Sequence, residues 1–202
     1  MKINVKCLRI IFLFLLTLNL SLFMTNSQAQ DPVKSDKTTK TAKPTKPNKA
    51  SNMLYIDLKY GQVVIELLPK IAPKHVARVS NLADTGFYDN VKFHRVIKGF
   101  MAQTGDPTGT GMGGSDLPDL KAEFSNEPHI RGAVSMARAS SPNSANSQFF
   151  IVTDDSRFLD GDYTVFGRVI EGMKYVDQIK KGSGSGGVVD NPDVMLKVRT
   201  TK

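Results

Sequence analysis

The chain has 202 residues, a single cysteine, no tryptophan and a formal net charge of +8. This length allows one ordinary domain with appendages. Nine of the 27 lysine and arginine residues precede residue 52 but only two of the 19 acidic residues do, so the rest of the chain is close to neutral. The basic balance is therefore no indication of a nucleic-acid surface, and we expect no nucleic-acid partner.

The first 29 residues have the pattern of a secretory signal. Three basic residues precede an apolar run over residues 10–24, and a small-residue site ends at Ala29. The run is shorter than the roughly 20 residues that a membrane-spanning helix needs. We predict cleavage after Ala29 and a periplasmic protein, with an uncleaved anchor as the alternative. Cys7 would leave with the signal, so we expect neither a disulfide nor thiol chemistry in the mature protein.

Residues 30–51 are rich in Lys, Thr and Pro. Lysine recurs at every third position from Lys34 to Lys49, and no large apolar residue follows Val33. Such a segment cannot bury a core, which predicts a disordered tether. Its charge is compatible with loose contact to anionic lipid or wall polymers, and equally with a solvated spacer. We expect residues 52–202 to form the single folded domain, as a monomer.

The domain opens with a hairpin pattern and one helix. Strand-like runs at residues 53–58 and 62–67 are joined at Lys59-Tyr60-Gly61, which is typical of a hairpin. Pro73 then suits the first position of a helix, and Gly86 suits the position just after its end. Apolar residues recur between them at helical spacing.

Residues 92–106 contain a cation and an amide among large apolar residues. Alternation from Lys92 to Ile97 predicts that Phe93, Arg95 and Ile97 share one face of a strand, and a second run at residues 100–103 sets Met101 and Gln103 on a common side. Arginine and glutamine beside an apolar pocket can hold an uncharged amide-bearing ligand. The alternative is an edge-strand arginine paired to a surface acid.

Short strand patterns dominate the rest of the chain. After an irregular stretch at residues 105–131, they occur at residues 133–137, 148–153, 164–170 and 193–200. Within the second of these, adjacent phenylalanines must point to opposite faces, so one can serve the core and the other a pocket.

A second short helix is predicted from the spacing of Met173, Val176 and Ile179, stopping at Gly182. Many short strands with only two helices favour a closed barrel over a doubly wound sheet.

Three other chemistries are disfavoured. Glycines between Gly109 and Gly114 match a dinucleotide pattern, but Pro118 follows too soon for the required helix. His75, His94 and His129 are isolated in sequence, so we expect structural histidines and no metal site. No serine lies in a nucleophile-elbow pattern, so covalent hydrolysis has no evident machinery.

Six short segments, taken together and in order, carry a resemblance to a known family. They are FHRVI at residues 93–97, GFMAQ at 99–103, GD at 105–106, SMA at 135–137, NSQFFI at 146–151 and FLDG at 158–161. With these, the chain resembles the cyclophilins, which are peptidyl-prolyl cis-trans isomerases, over about residues 53–199. The resemblance implies a mainly β fold, a closed eight-stranded antiparallel β-barrel capped by two α-helices. It also implies a peptide site on the outer face and no cofactor.

The resemblance also assigns roles by matching position. It implies that Arg95 is the catalytic arginine. It implies a proline pocket formed by Phe100, Met101, Phe150 and Leu159, and contacts to the peptide backbone from Gln103, Ala137 and Arg138. Phe158 and Tyr163 stand where many cyclophilins have a tryptophan and a histidine, and Arg138 replaces a frequent asparagine. We expect both aromatic residues to wall the pocket and Phe158 to weaken cyclosporin-type inhibition.

These expectations lead to one functional hypothesis with two rivals. The resemblance implies an isomerase (EC 5.2.1.8) acting on X-Pro bonds of exported proteins during folding. The main rival is a peptide-binding module or chaperone that holds X-Pro segments with little turnover. A hydrolase is the lesser rival.

Overall fold

A computed structural model describes residues 52–200 of the chain. The predicted signal and the tether lie outside these residues. Within them, no helix is long and apolar enough to cross a membrane.

The described residues form ten strands and two α-helices, and strands and helices follow each other as the sequence patterns predict. The single strand predicted over residues 193–200 is wrong, because the chain there forms two short strands that belong to different sheets. The strands are β1 (Met53–Leu58), β2 (Gly61–Leu67), β3 (Val91–Lys92), β4 (Arg95–Ile97), β5 (Met101–Thr104), β6 (Ala133–Met136), β7 (Phe149–Val152), β8 (Val165–Glu171), β9 (Val194–Met195) and β10 (Lys197–Arg199). The helices are α1 (Pro73–Asp84) and α2 (Met173–Val176), and a short 3-10 helix spans Arg157–Leu159.

Eight strands form one antiparallel sheet, in the order β10-β1-β2-β8-β6-β7-β5-β4, and β3 pairs with β9. The end strands β4 and β10 do not pair with each other. Instead, the Val96 N–H donates to the Gly187 carbonyl (2.7 Å) and the Leu196 N–H donates to the Asp57 carbonyl on β1 (2.8 Å). Of the predicted closed barrel, the eight antiparallel strands and the two helices are confirmed, whereas the two end strands that closure would join are not paired. Residues 187–196 hydrogen-bond to β4 at one margin of the sheet and to β1, next to the other margin.

The two helices differ in how well the sequence defines their ends. Pro73 occupies the start of α1, and the carboxylate of Glu123 accepts the backbone N–H groups of Lys74 and His75 (3.0 and 3.2 Å). A loop residue thus caps the helix where Ala72 has no side chain to do so. For α2, by contrast, the predicted C-terminal end is wrong.

Regular helix in α2 ends at Val176 rather than near Gly182. The chain continues in tighter turns, in which the Ile179 N–H donates to the Val176 carbonyl (3.2 Å). Ile179 remains fully buried. The helical spacing of apolar residues is therefore satisfied without a continuous α-helix.

The sheet is apolar on both faces where β5, β6 and β7 lie side by side. Phe149 points into the main core, where its ring meets those of Tyr88 and Phe166 edge-on at 5.5 and 5.9 Å. Phe150 points to the other face, into a smaller cluster with Met101 and other apolar residues. The prediction that the adjacent phenylalanines serve a core and a second surface is confirmed.

The predicted strand over residues 92–97 is wrong in one respect. β3 ends at Lys92 and β4 begins at Arg95, so the chain changes sheets at Phe93 and His94. Phe93 is fully buried in the main core, whereas Arg95 and Ile97 are partly exposed on the outer face. Alternation fails here because it assumes one continuous strand.

Candidate active site

One cavity of about 290 Å³, on the outer face of the sheet, is lined by all ten residues to which the family resemblance assigned a role in the site. They are Arg95, Phe100, Met101, Gln103, Ala137, Arg138, Phe150, Phe158, Leu159 and Tyr163. They come from β4, the turn between β4 and β5, β5, β7, the segment after β6, and the 3-10 helix with the residues that follow it. Residues separated by up to 68 positions in the chain are thus brought to one surface.

The floor of this cavity is apolar and the rim carries aromatic rings. Met101, Phe150 and Leu159 are buried and form one cluster with Phe100 and Tyr163. The Phe150 and Tyr163 rings meet edge-on with centroids 5.8 Å apart. Such a pocket has the size and character to bury a small aliphatic ring.

Arg95 is held at the polar edge of the cavity by neutral acceptors. Its Nε donates to the Gly186 carbonyl (3.0 Å), and its Nη1 donates to Oε1 of Gln103, its cross-strand partner (3.2 Å). None of the carboxylates in residues 52–200 forms an ion pair with it. The alternative of an arginine paired to a surface acid is therefore wrong, and Nη2 has no partner within that range.

The loop that holds Arg95 depends on a glycine. Gly187 has a φ of +68°, and a Cβ built on it would lie 2.4 Å from Cγ1 of Ile97. Any larger residue would push residues 182–187 away from β4. The Gly186 carbonyl that fixes the guanidinium belongs to the same loop, so this tight approach positions Arg95.

An amide relay, which sequence reasoning missed, extends from Gln103. The Nε2 of Gln103 donates to Oε1 of Gln148 (2.9 Å), whose Nε2 donates to the carbonyls of Gly111 and Gly113 (3.1 and 2.8 Å). Backbone carbonyls can only accept, so the amide nitrogen of Gln148 must face the two glycine carbonyls and its oxygen must face Gln103. The amide nitrogen of Gln103 then faces Gln148, which leaves Oε1 of Gln103 facing Arg95. Gln148 lies two residues before Phe150, and residues two apart in a strand lie on the same face, so alternation could have indicated Gln148 as a neighbour of the site. No local sequence feature indicated the role of Gly186.

Asp106 holds the loop that ends this relay. Its buried carboxylate accepts hydrogen bonds from the Thr108 N–H and hydroxyl (2.7 and 2.8 Å) and from the Gly111 N–H (2.6 Å). Burial by itself raises the pKa of this carboxyl, but the hydrogen bonds outweigh burial and lower the pKa from the ordinary 3.8 to about 2. The charged form is therefore the one that the fold stabilises.

Replacing Asp106 with asparagine is expected to change how stability depends on pH. Because the pKa is lowered in the folded state, the carboxylate contributes to the free energy of unfolding above pH about 4, and that contribution is lost as the pH falls through about 2. The Asp106→Asn variant should be less stable at pH 7, and its stability should fall less between pH about 4 and 2. Urea unfolding at several pH values measures both. Asp116→Asn, on the same loop and exposed, should behave like the wild type.

Arg138 covers the Tyr163 ring at the other edge of the cavity. Its guanidinium carbon lies 4.6 Å from the ring centroid, a cation–π arrangement. Nε donates to the Asp162 carbonyl (3.2 Å), and Nη1 donates to the carbonyls of Ala139 and Ser140 (3.0 and 3.3 Å). The side chain is held in one position rather than extended freely into solvent.

Comparison with known proteins identifies the family. Residues 53–200 match the family of cyclophilin type peptidyl-prolyl cis-trans isomerases. The chain belongs to this family. A Brucella suis protein named "Probable peptidyl-prolyl cis-trans isomerase" is 54% identical over 158 residues, which is 72% of this chain and 81% of that protein. The mouse "Peptidyl-prolyl cis-trans isomerase-like 1" is 40% identical over 130 residues, 62% of this chain and 78% of that protein.

Solved structures agree with this assignment. A cyclophilin type isomerase from Cryptosporidium parvum, crystallised in the presence of the dipeptide Ala-Pro, matches with a TM-score of 0.68 and 32% identity over 74% of this chain and 99% of that one. A cyclophilin from Hirschia baltica matches with a TM-score of 0.67 and 31% identity, over 75% and 74% of the two chains. The protein is therefore an enzyme that isomerises peptidyl-prolyl bonds.

A second cavity, of about 450 Å³, adjoins the first in this isomerase. Gln103, Ala137 and Arg138 line both. The rest of the second cavity is lined by residues 111–115, Asp119, Ala139, Ser144, Asn146 and Gln148. A peptide lying across the shared residues can therefore occupy both cavities at once.

A buried Ser-His-Asp arrangement lies beneath the pocket of the isomerase. Nε2 of His129 is 3.0 Å from the Ser135 hydroxyl, and its Nδ1 is 3.1 Å from Asp160. The sequence patterns did not reveal this grouping. Ser135 is fully buried and pairs with Phe150 across the strands, so its hydroxyl cannot reach a substrate. The His129 ring stacks on Phe150 at 6.3 Å, which makes it a support for the pocket floor and gives no hydrolytic centre.

The other two histidines are also buried, and neither ring is fully hydrogen-bonded. Nδ1 of His75 lies 2.7 Å from the Glu123 carboxylate, but Nε2 of His75 and both ring nitrogens of His94 lack a hydrogen-bond partner within residues 52–200. Burial lowers the pKa of both imidazoles. Burial therefore favours the neutral form of both rings.

Phe158 lies at the rim of the isomerase pocket, 73% exposed, with its ring 5.4 Å from that of Phe100. It cannot donate the hydrogen bond that an indole N–H supplies. We expect no nanomolar inhibition by cyclosporin, measured by titrating the isomerase activity, and tighter inhibition of a Phe158→Trp variant. Nanomolar inhibition of the wild type would contradict this prediction.

Proposed function

We propose that Arg95 catalyses the rotation of X-Pro bonds in the 290 Å³ cavity, and that the substrates are segments of proteins folding beyond the inner membrane. The observation that carries the catalytic proposal is the state of Arg95. Its guanidinium is fixed by two neutral acceptors beside an apolar pocket, and one terminal nitrogen is left without a partner in residues 52–200.

Rotation of a peptide bond requires no bond to break. It is resisted by about 18–20 kcal/mol because the nitrogen lone pair is delocalised into the carbonyl, and X-Pro bonds isomerise unaided over tens to hundreds of seconds. In the twisted state the nitrogen regains its lone pair and can accept a hydrogen bond. A donor placed at that nitrogen therefore favours the twisted state over both ground states.

Arginine suits this task because its side chain is permanently charged and can only donate. Its Nε hydrogen and one Nη1 hydrogen are occupied, so the second Nη1 hydrogen and both Nη2 hydrogens of Arg95 remain as donors. We assign the bond to the proline nitrogen to Nη2, which has no partner within residues 52–200. The floor formed by Met101, Phe150 and Leu159 anchors the ring while the preceding residue turns. Binding energy from the ring then contributes to the rotation step.

Exchange spectroscopy on a short X-Pro peptide, with the protein lacking its first 29 residues, tests this function without a coupling protease. We expect exchange between cis and trans peptide to accelerate at catalytic protein concentrations. Peptide binding without faster exchange would instead favour a module that holds X-Pro segments.

The proposal that the protein is itself exported rests on the sequence of residues 1–51. A basic start, a short apolar run and a small-residue site are typical of a cleaved signal, and the following segment contains no cysteine. We expect the protein released by osmotic shock to have the mass of a chain starting at Gln30. A chain that retains residues 1–29 in the membrane fraction would contradict this. Deleting residues 31–51 without a change in fractionation would show that the tether is only a spacer.

A further inference from the structure

Arg138 lies on the ridge between the two cavities and has no acidic partner. Of the five other arginines within residues 52–200, none lines either cavity. Four of them are paired with a carboxylate, namely Arg131, Arg157, Arg168 and Arg199, and Arg78 bonds to two backbone carbonyls. Arg95 and Arg138, which line the peptide site, bond only to neutral oxygens. The site therefore presents two uncompensated positive charges, one of which the proposed chemistry uses.

The guanidinium of Arg138 is also fixed in direction. Three carbonyls take its Nε and Nη1 hydrogens, and the Tyr163 ring supports its face. Nη2 has no partner among the described residues, so two donors remain for a ligand. A guanidinium that is already ordered loses little conformational freedom when it binds a carboxylate, whose two oxygens match its geometry.

The position of the cavities indicates which part of a substrate meets this charge. The residue before proline is attached to the proline nitrogen, which the proposed mechanism places beside Arg95 and its partner Gln103. Gln103, Ala137 and Arg138 are the residues through which the first cavity continues into the second. A substrate whose segment before proline enters the second cavity therefore passes along Arg138.

We propose that Arg138 makes this enzyme prefer substrates with an acidic side chain one or two residues before the proline. The inference rests on the function proposed above. One acid, Asp119, also lines the second cavity, where its carboxylate accepts a hydrogen bond from Nδ2 of Asn146 (3.0 Å). It forms no ion pair with Arg138, so the positive charge of Arg138 stays available.

The test compares acetylated peptide amides, acetyl-Ala-Xaa-Pro-Phe-amide and acetyl-Xaa-Ala-Pro-Phe-amide, with Xaa either Glu or its neutral isostere Gln. Blocked ends leave the glutamate as the only carboxylate. With the full chain at low salt, we expect a specificity constant about three- to tenfold higher for Glu at one or both positions, as for a partly exposed charged contact. The preference should shrink at about 0.3 M salt because the contact is screened.

Variants show whether Arg138 is responsible. In Arg138→Gln the ratio of the Glu to the Gln peptide should fall to about one, and Arg138→Lys should keep part of it. Lys121→Gln removes the same charge from an exposed position that lines neither cavity and should keep the full ratio. A wild-type ratio of one at both positions, or a ratio that survives Arg138→Gln, overturns the inference. Failure to isomerise any of the peptides would instead overturn the catalytic proposal.

Discussion

The Arg95→Ala variant is expected to lower kcat/KM for X-Pro isomerisation at least about a hundredfold, equivalent to about 2.7 kcal/mol of transition-state stabilisation. The reason is that the donor to the proline nitrogen is lost, while the apolar pocket remains. The loss should appear mainly in kcat, because the hydrogen bond forms only in the twisted state. Exchange spectroscopy over a range of peptide concentrations separates kcat from KM.

A matched control is Lys98→Ala, which removes an exposed cation three residues away that does not line the cavity. It should retain near-normal activity. Both variants should unfold at temperatures close to that of the wild type, since neither residue is buried in the core or forms an ion pair. Near-normal catalysis by a folded Arg95→Ala protein would refute the proposed role of Arg95.

Truncating Phe149 and Phe150 in separate variants should have opposite consequences. Phe149→Ala leaves a sealed hole between Tyr88 and Phe166 in the main core, and is expected to cost about 3–5 kcal/mol of unfolding free energy. Its kcat/KM should stay near normal where the protein is folded.

Phe150→Ala instead enlarges the cavity that is proposed to hold the proline ring. The space it leaves joins the 290 Å³ cavity, so the loss of stability should be smaller, while kcat/KM should fall at least about tenfold from lost ring contacts. Denaturant unfolding and peptide exchange, measured on both proteins, give the comparison. Equal losses of activity in the two variants would contradict the assignment of the phenylalanines to separate faces.

The positions of most strands could be predicted because alternation and turn residues are local properties of the chain. The hairpin at Lys59-Tyr60-Gly61 follows from its turn residues between two strand-like runs, and the opposite orientations of Phe149 and Phe150 follow from the two-residue period of a strand. Prediction failed where a regular pattern crossed a break. At Phe93 the chain passes from one sheet to another, and past Val176 the helical spacing continues in turns.

The site residues were identified by resemblance, and the structure shows which of their neighbours matter. Gln148 connects Gln103 to the loop held by Asp106, and its place two residues before Phe150 hinted at this. The Gly186 carbonyl contacts Arg95 from 91 positions away. No sequence pattern can indicate such a contact, because it depends on how closely a distant loop packs against β4.

By itself, the sequence determined the strand and helix order and the two-sided β7 strand, because these follow from local periodicity. Through its resemblance to a family, it also indicated the residues that line the 290 Å³ cavity. Only the tertiary structure decided the partners of the two arginines. Whether an arginine meets an acid, a carbonyl or a ring is set by long-range packing, and here it leaves Arg95 and Arg138 without acids on one surface. Charge count cannot predict this, since the domain as a whole is almost neutral.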